Sequence, residues 1–115
     1  MRVKNYRDVE AEVEAPGATM RWVIDAKDGA PNFALRVIEL EPGASSPFHH
    51  HTWEHEVYVL SGQGAVRSMK GLTPIGEGDT ILILGDEVHQ LINEGDDPLR
   101  FICLVPNERP IRRGV

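Results

Sequence analysis

The chain has 115 residues, room for one domain, and 41% of them are hydrophobic, enough for a modest packed core and too many for a disordered chain. Twelve Lys and Arg against eighteen Asp and Glu give a formal net charge of −6 with no clustered basic face, so nucleic acid is excluded as an expected partner. No apolar run approaches the ~20 residues of a membrane helix, the charged start Met1–Asp8 is unlike a secretory signal, and the single cysteine, Cys103, excludes an internal disulfide framework. The expectation is one soluble, cytoplasmic domain over residues 1–115 that meets no membrane.

In chain order, Arg7–Ala15 is acidic and valine-rich and carries no clear helical period. Short β-branched or alternating runs follow at Met20–Asp25, Asn32–Leu40, His55–Leu60, Gly64–Met69, Thr80–Leu84, His89–Asn93 and Leu99–Val105. Turn signals separate them, among them Pro16-Gly17, Asp28-Gly29, Pro42-Gly43, Ser61-Gly62, Gly76-Glu-Gly78, Gly85-Asp86 and Gly95-Asp96. Many short strands at regular spacing predict an all-β domain, a small antiparallel barrel or sandwich. The tail with Arg109, Arg112 and Arg113 reads as a solvated terminus.

Histidine is the unusual residue. Four of the five, His49, His50, His51 and His55, fall within seven positions, and His89 stands alone. On extended chain, alternate residues share a side, so His49, His51 and His55 point one way while His50, Glu54 and Glu56 point the other, unless a turn at Thr52-Trp53 resets the phase. Neutral imidazole is a ligand for first-row transition metals, so three converging rings make a metal site plausible. His89 opens a strand after the Gly85-Asp86 turn and supplies a fourth. His50 is assigned to solvent or to a place behind the ligands.

The segment from Gly43 to Gly62 resembles the first motif of the cupin superfamily, G-x5-H-x-H-x3/4-E-x6-G, with every spacing kept and His55 at the usual glutamate position. His89-x3-Asn93 is similar to the end of the second motif, whereas Leu84-Gly85-Asp86 stands where Pro-x-Gly is expected. The run His49-His-His-Thr-Trp-Glu-His-Glu-Val-Tyr-Val-Leu-Ser-Gly62 looks most like the small single-domain cupins (cupin_2 type) whose metal is held by four histidines, a resemblance extending over about residues 28–106. It implies a jelly-roll barrel, the double-stranded β-helix. It also implies one divalent transition metal per chain, Mn or Fe, on His49, His51, His55 and His89, although Ni, Zn or Cu suits imidazole as well. Phe101, Cys103 and Val105 share a strand face that lines the metal cavity in the resembling group; for Cys103 the role of a small buried hydrophobe is equally open. Arg36 lies on a strand leading toward the site, where it would meet an anionic substrate, but a surface charge is the preferred reading. Glu56 and Tyr58 read as structural or interfacial.

Four histidines leave an octahedral ion two open positions. The leading expectation is therefore an oxidoreductase, activating dioxygen or a peroxide against a small organic substrate. Two other classes stand beside it: a Lewis-acid isomerase or lyase acting on a small carbonyl compound or sugar acid, and a non-catalytic metal-dependent binding module. The Lewis-acid class lacks a base, since the nearby carboxylates, Glu54 and Glu56, point away. A chain this short buries little surface alone, and the resembling cupins pair, so a homodimer is expected.

Overall fold

The computed structural model describes residues 1–108; the arginines of the tail expected to be solvated lie outside the described residues. Nine strands run in chain order: β1 Glu12–Ala15, β2 Ala18–Ile24, β3 Phe33–Leu40, β4 His55–Ser61, β5 Gln63–Ser68, β6 Gly71–Gly76, β7 Thr80–Ile83, β8 Gln90–Ile92 and β9 Leu99–Pro106. One antiparallel sheet has the order β1-β2-β3-β9-β4-β7, and a second has the order β6-β5-β8. The irregular segment after Gly43 extends the second sheet through bridges from Ser45 to Ile92 and from His49 to His89. Among the described residues no helix is long and apolar enough to cross a membrane.

The seven expected strands are all present, with ends shifted by one or two residues. Two strands were not expected. β6 contains Pro74 between two glycines, a composition that argues against a central strand. It lies at an edge of the second sheet, where the missing N–H of Pro74 interrupts no inner ladder. β1 is likewise an edge strand, and it holds a bulge: Val13 pairs with Thr19 and Ala15 with Ala18, leaving Glu14 as the extra residue.

The core lies between the sheets. β9 alternates strictly, sending Leu99, Phe101, Cys103 and Val105 inward. They meet Ile38 and Leu40 of β3 and Val57 and Val59 of β4. Leu40, Leu99 and Val59 have no exposed surface and close one end of the sandwich. Asn93 ties that end down: its amide donates to the carbonyls of Leu40 at 2.9 Å and Asp97 at 2.8 Å, and its Oδ1 accepts from Gly95 N–H at 2.9 Å. Gly62, at φ +92°, turns β4 into β5 where an added Cβ would collide with the carbonyl oxygen of Pro98. The other end of the sandwich stays open.

Candidate metal centre

At the open end, three elements deliver histidines to one point. His55 begins β4, where inward parity buries it at 6% exposure; its neighbours Glu56 and Tyr58 point outward and are exposed. His49 and His89 pair directly, His89 N–H to His49 O at 3.0 Å and His49 N–H to His89 O at 3.2 Å, which places their rings side by side. The bend at Thr52-Trp53 does not reset the phase for His51: its ring stacks on Trp53, 4.1 Å between centroids and 5° from parallel, and turns toward His55. The Gly85-Asp86 turn, which departs from the Pro-x-Gly pattern, still works. Asp86 takes φ +66° and its N–H donates to His51 O at 2.6 Å, while Gly85 leaves room for the Thr52 carbonyl. His50 is exposed, with Nδ1 3.9 Å from the Asp86 carboxylate, and is not part of the cluster.

One ligand nitrogen from each of His49, His51, His55 and His89 lies within 4.8 Å of all the others. At a metal–nitrogen distance of ~2.1 Å, adjacent ligands of an octahedral ion stand about 3 Å apart and opposite ones about 4.2 Å, so the cluster has the span to hold one ion. Backbone carbonyls fix two of the tautomers in the ligand form. His51 Nδ1–H donates to Trp53 O at 3.1 Å and His89 Nδ1–H to Glu87 O at 2.8 Å, which leaves both Nε2 lone pairs facing the pocket. His55 Nε2 lies 2.7 Å from His51 Nε2, and its Nδ1 lies 3.0 Å from Cys103 Sγ. Arg36 NH2, a donor, also lies 3.1 Å from His55 Nδ1, so Nδ1 accepts there and Nε2–H donates to His51 Nε2. For His55 Nε2 to serve as a ligand the proton must move to Nδ1, where the Cys103 sulfur is the available acceptor.

All four rings are held neutral. Burial is the largest cause throughout, reinforced by the charge of Arg36; it pushes His49 down to about 4 and His55 down to about 2, and lowers His51 and His89. Neutral imidazole is the ligand form. A consequence is testable without any ion. Because these folded values lie below the unfolded ~6.5, the unfolded chain binds more protons, and stability is lost as pH falls through the unfolded value. The metal-free protein should therefore melt at progressively lower temperature from pH 6.5 toward pH 4; a flat melting profile over that interval would contradict the buried cluster.

Arg36 corrects the preferred reading of a surface charge: it is 8% exposed and lines the cavity. Its register on β3 explains this, since it pairs with Trp22 on one side and Cys103 on the other, and inward parity forces it under the histidines. The guanidinium lies 5.2 Å from the Trp22 ring centroid, and its NH2 donates to Cys103 Sγ at 2.9 Å and approaches His55 Nδ1 at 3.1 Å. Cys103 is buried and lines the cavity, and burial pushes its thiol up against the opposing pull of Arg36. Phe101 lies deeper on the same face and forms part of the cavity lining.

The cavity above this cluster measures about 160 Å³, and its lining is mostly apolar: Trp22, Ile38, Trp53, Val57, Ile83, Leu91, Phe101 and Val105. It also contains a residue that alternation hides. Glu14 of β1 lines the cavity, so Glu54 and Glu56 are not the only carboxylates to consider. On a strand without a bulge Glu10, Glu12 and Glu14 would share one face, and the bulge turns the last of them inward.

Comparison with known proteins places these features in context. The family model described as the cupin domain (Cupin_2) matches residues 36–105. The solved structure of the polyketide cyclase RemF from Streptomyces resistomycificus superposes with a TM-score of 0.89 at 35% identity, covering 96% of this chain and 82% of that one. An oxalate-binding protein from Thermotoga maritima is 30% identical over 105 residues, 90% of this chain and 84% of its own length. A 1-methylthio-D-xylulose 5-phosphate methylsulfurylase from Rhodospirillum rubrum is 32% identical over 75 residues, 65% of this chain; the match spans 48% of that relative's length.

Proposed function

Because this chain belongs to the Cupin_2 family of cupin domains, we propose that His49, His51, His55 and His89 hold one divalent transition metal and that the pocket carries out Lewis-acid chemistry on a small, flat, carbonyl-bearing substrate. The observation that carries this reading is the pairing of four neutral imidazoles with a tryptophan-walled apolar cavity. A bound ion there would supply Lewis acidity toward a carbonyl oxygen. The chain's own residues do the rest. The apolar wall binds the substrate body and excludes water, which strengthens every charge interaction inside. Arg36 presents a buried cation to developing negative charge on oxygen. The likeness to a polyketide cyclase, at 35% identity over nearly the whole chain, supports carbonyl condensation within this class.

An oxidoreductase using dioxygen or peroxide is the second reading, favoured by an all-imidazole cluster, a donor type that suits redox-active Fe and Cu as well as Zn. The proposal includes a cytoplasmic homodimer. Tyr58 and Leu82, exposed on the outer face of the large sheet, are the surface a second copy would cover.

The test uses protein purified without a histidine tag, assayed for metal content and then incubated with a phenyl-substituted 1,3,5-triketone. Ring closure without oxygen, supported by Zn and abolished by a chelator, is the expected result. Turnover that needs oxygen and fails with Zn would move the protein to the oxidoreductase class. An intact fold that takes up no metal would leave a binding barrel. Light scattering on the same sample should give twice the chain mass.

A further inference from the structure

The bulge in β1 changes the phase of the strand within two residues. Val13 is 77% exposed, yet Ala15, which should share its face, packs against the core. Glu14 between them has no partner in the ladder, and its side chain enters the cavity wall together with Trp22 and Arg36. Bulges beside active sites serve to re-aim a side chain in this way.

Inside the wall the carboxylate is only partly satisfied. Glu14 Oε2 is fully buried and accepts no hydrogen bond, and Arg36 Nε, in the same wall, is buried with no acceptor. The two side chains feel one another's charge, but no ion pair joins them among the described residues. A buried polar atom without a partner costs stability and calls for an explanation. Among the described residues Arg100 Nε is a third, but only Glu14 and Arg36 line the cavity. Both residues line the same cavity as the four histidines.

We propose that Glu14 is the general base of this pocket, resting on the carbonyl chemistry proposed above. It takes the proton from the substrate carbon next to the carbonyl. The C–H bond breaks and its electron pair becomes the C=C bond of the enolate. The carbonyl π pair moves onto oxygen, and the proton ends on the Glu14 carboxylate, from which it returns in the reverse step. Arg36 Nε–H is the donor available to the oxygen as it gains charge. Separately, burial raises the Glu14 carboxyl from its ordinary value, with Arg36 opposing, and a raised carboxyl is the better proton acceptor.

The probe is 2′-hydroxyacetophenone in D2O, a planar ketone whose methyl protons exchange slowly unless an acid and a base act together. Wild type, Glu14→Gln and Glu14→Asp are loaded with Zn and compared for metal content, probe affinity and deuterium entry into the methyl group. For Glu14→Gln, exchange should fall by about 100-fold or more while metal content is unchanged and probe affinity stays within about threefold, the signature of a lost proton acceptor. Glu14→Asp, which retains the carboxylate, should recover part of the rate. Exchange in Glu14→Gln within about threefold of wild type would overturn the role of Glu14 and leave the metal reading standing. Wild type that binds Zn but does not accelerate exchange, or that binds none, would overturn the carbonyl reading and this inference with it.

Discussion

His55→Ala is expected to empty the pocket of metal, from about one ion per chain to less than about a tenth, while His50→Ala leaves the content unchanged. The contrast follows from geometry. His50 is exposed on the far side of the chain, and its neighbour is the Asp86 carboxylate. His55 is the histidine rooted in a regular strand, held by the β4 register against Ile83 of β7 and backed by Cys103 and Arg36. His49 and His51 sit on irregular chain, tied by the bridge to His89 and by the stack on Trp53. Removing His55 therefore takes away both a ligand and the fixed point against which His51 packs. Loss of an outer hydrogen-bond partner costs ~10–100-fold in metal affinity, and loss of the ligand itself should cost more. Circular dichroism should show the variant folded, because an alanine at this site relieves a buried polar ring of the need for partners. A folded His55→Ala protein that keeps stoichiometric metal would place the ion elsewhere.

Most of this site could be read before any coordinates. His49, His51 and His55 share parity, and parity survives wherever the chain is extended or bends only locally, as at Thr52-Trp53. His89 was reachable because the Gly85-Asp86 turn announces the strand that follows. Arg36 and Glu14 were not legible for two different reasons. Arg36 sits among apolar residues at an inward position of β3, so its parity was correct, but an isolated arginine is ordinarily a surface residue and nothing local says that Cys103 and Trp22 will enclose it. Glu14 lay in Arg7–Ala15, a segment assigned to neither helix nor strand, so no face was read for it. A bulge is a property of how two strands align, set here by the tight connection at Pro16-Gly17, and it leaves no periodic mark in β1 itself. β6 was left unassigned because its run, with Pro74 between two glycines, carries no strand signal, whereas an edge position tolerates that composition.

The alternation of β9 divides stability from chemistry along one strand, and this sets the second large expected effect. Leu99 and Phe101 fill the closed end and the middle of the sandwich; Cys103 and Val105 line the open end. Phe101 is 2% exposed, opposite Ile38 of β3 and Val59 of β4 in the strand register, and it forms the boundary between solid core and cavity. Phe101→Ala removes a large buried ring where rigid strands on both sides limit collapse, so the loss should be about 3–5 kcal/mol. At about 4 °C per kcal/mol for a chain of this size, melting should fall by about 12–20 °C. Metal content below the new melting point should remain that of wild type, since Phe101 contributes no ligand. Leu104→Ala, one strand position off the inner face, should cost far less, under about 1.5 kcal/mol. If Phe101→Ala melted within a few degrees of wild type, the ring would be facing open cavity rather than packed core. If it lost its metal while still folded, the histidine cluster would depend on the core beneath it, and the division along β9 would not hold.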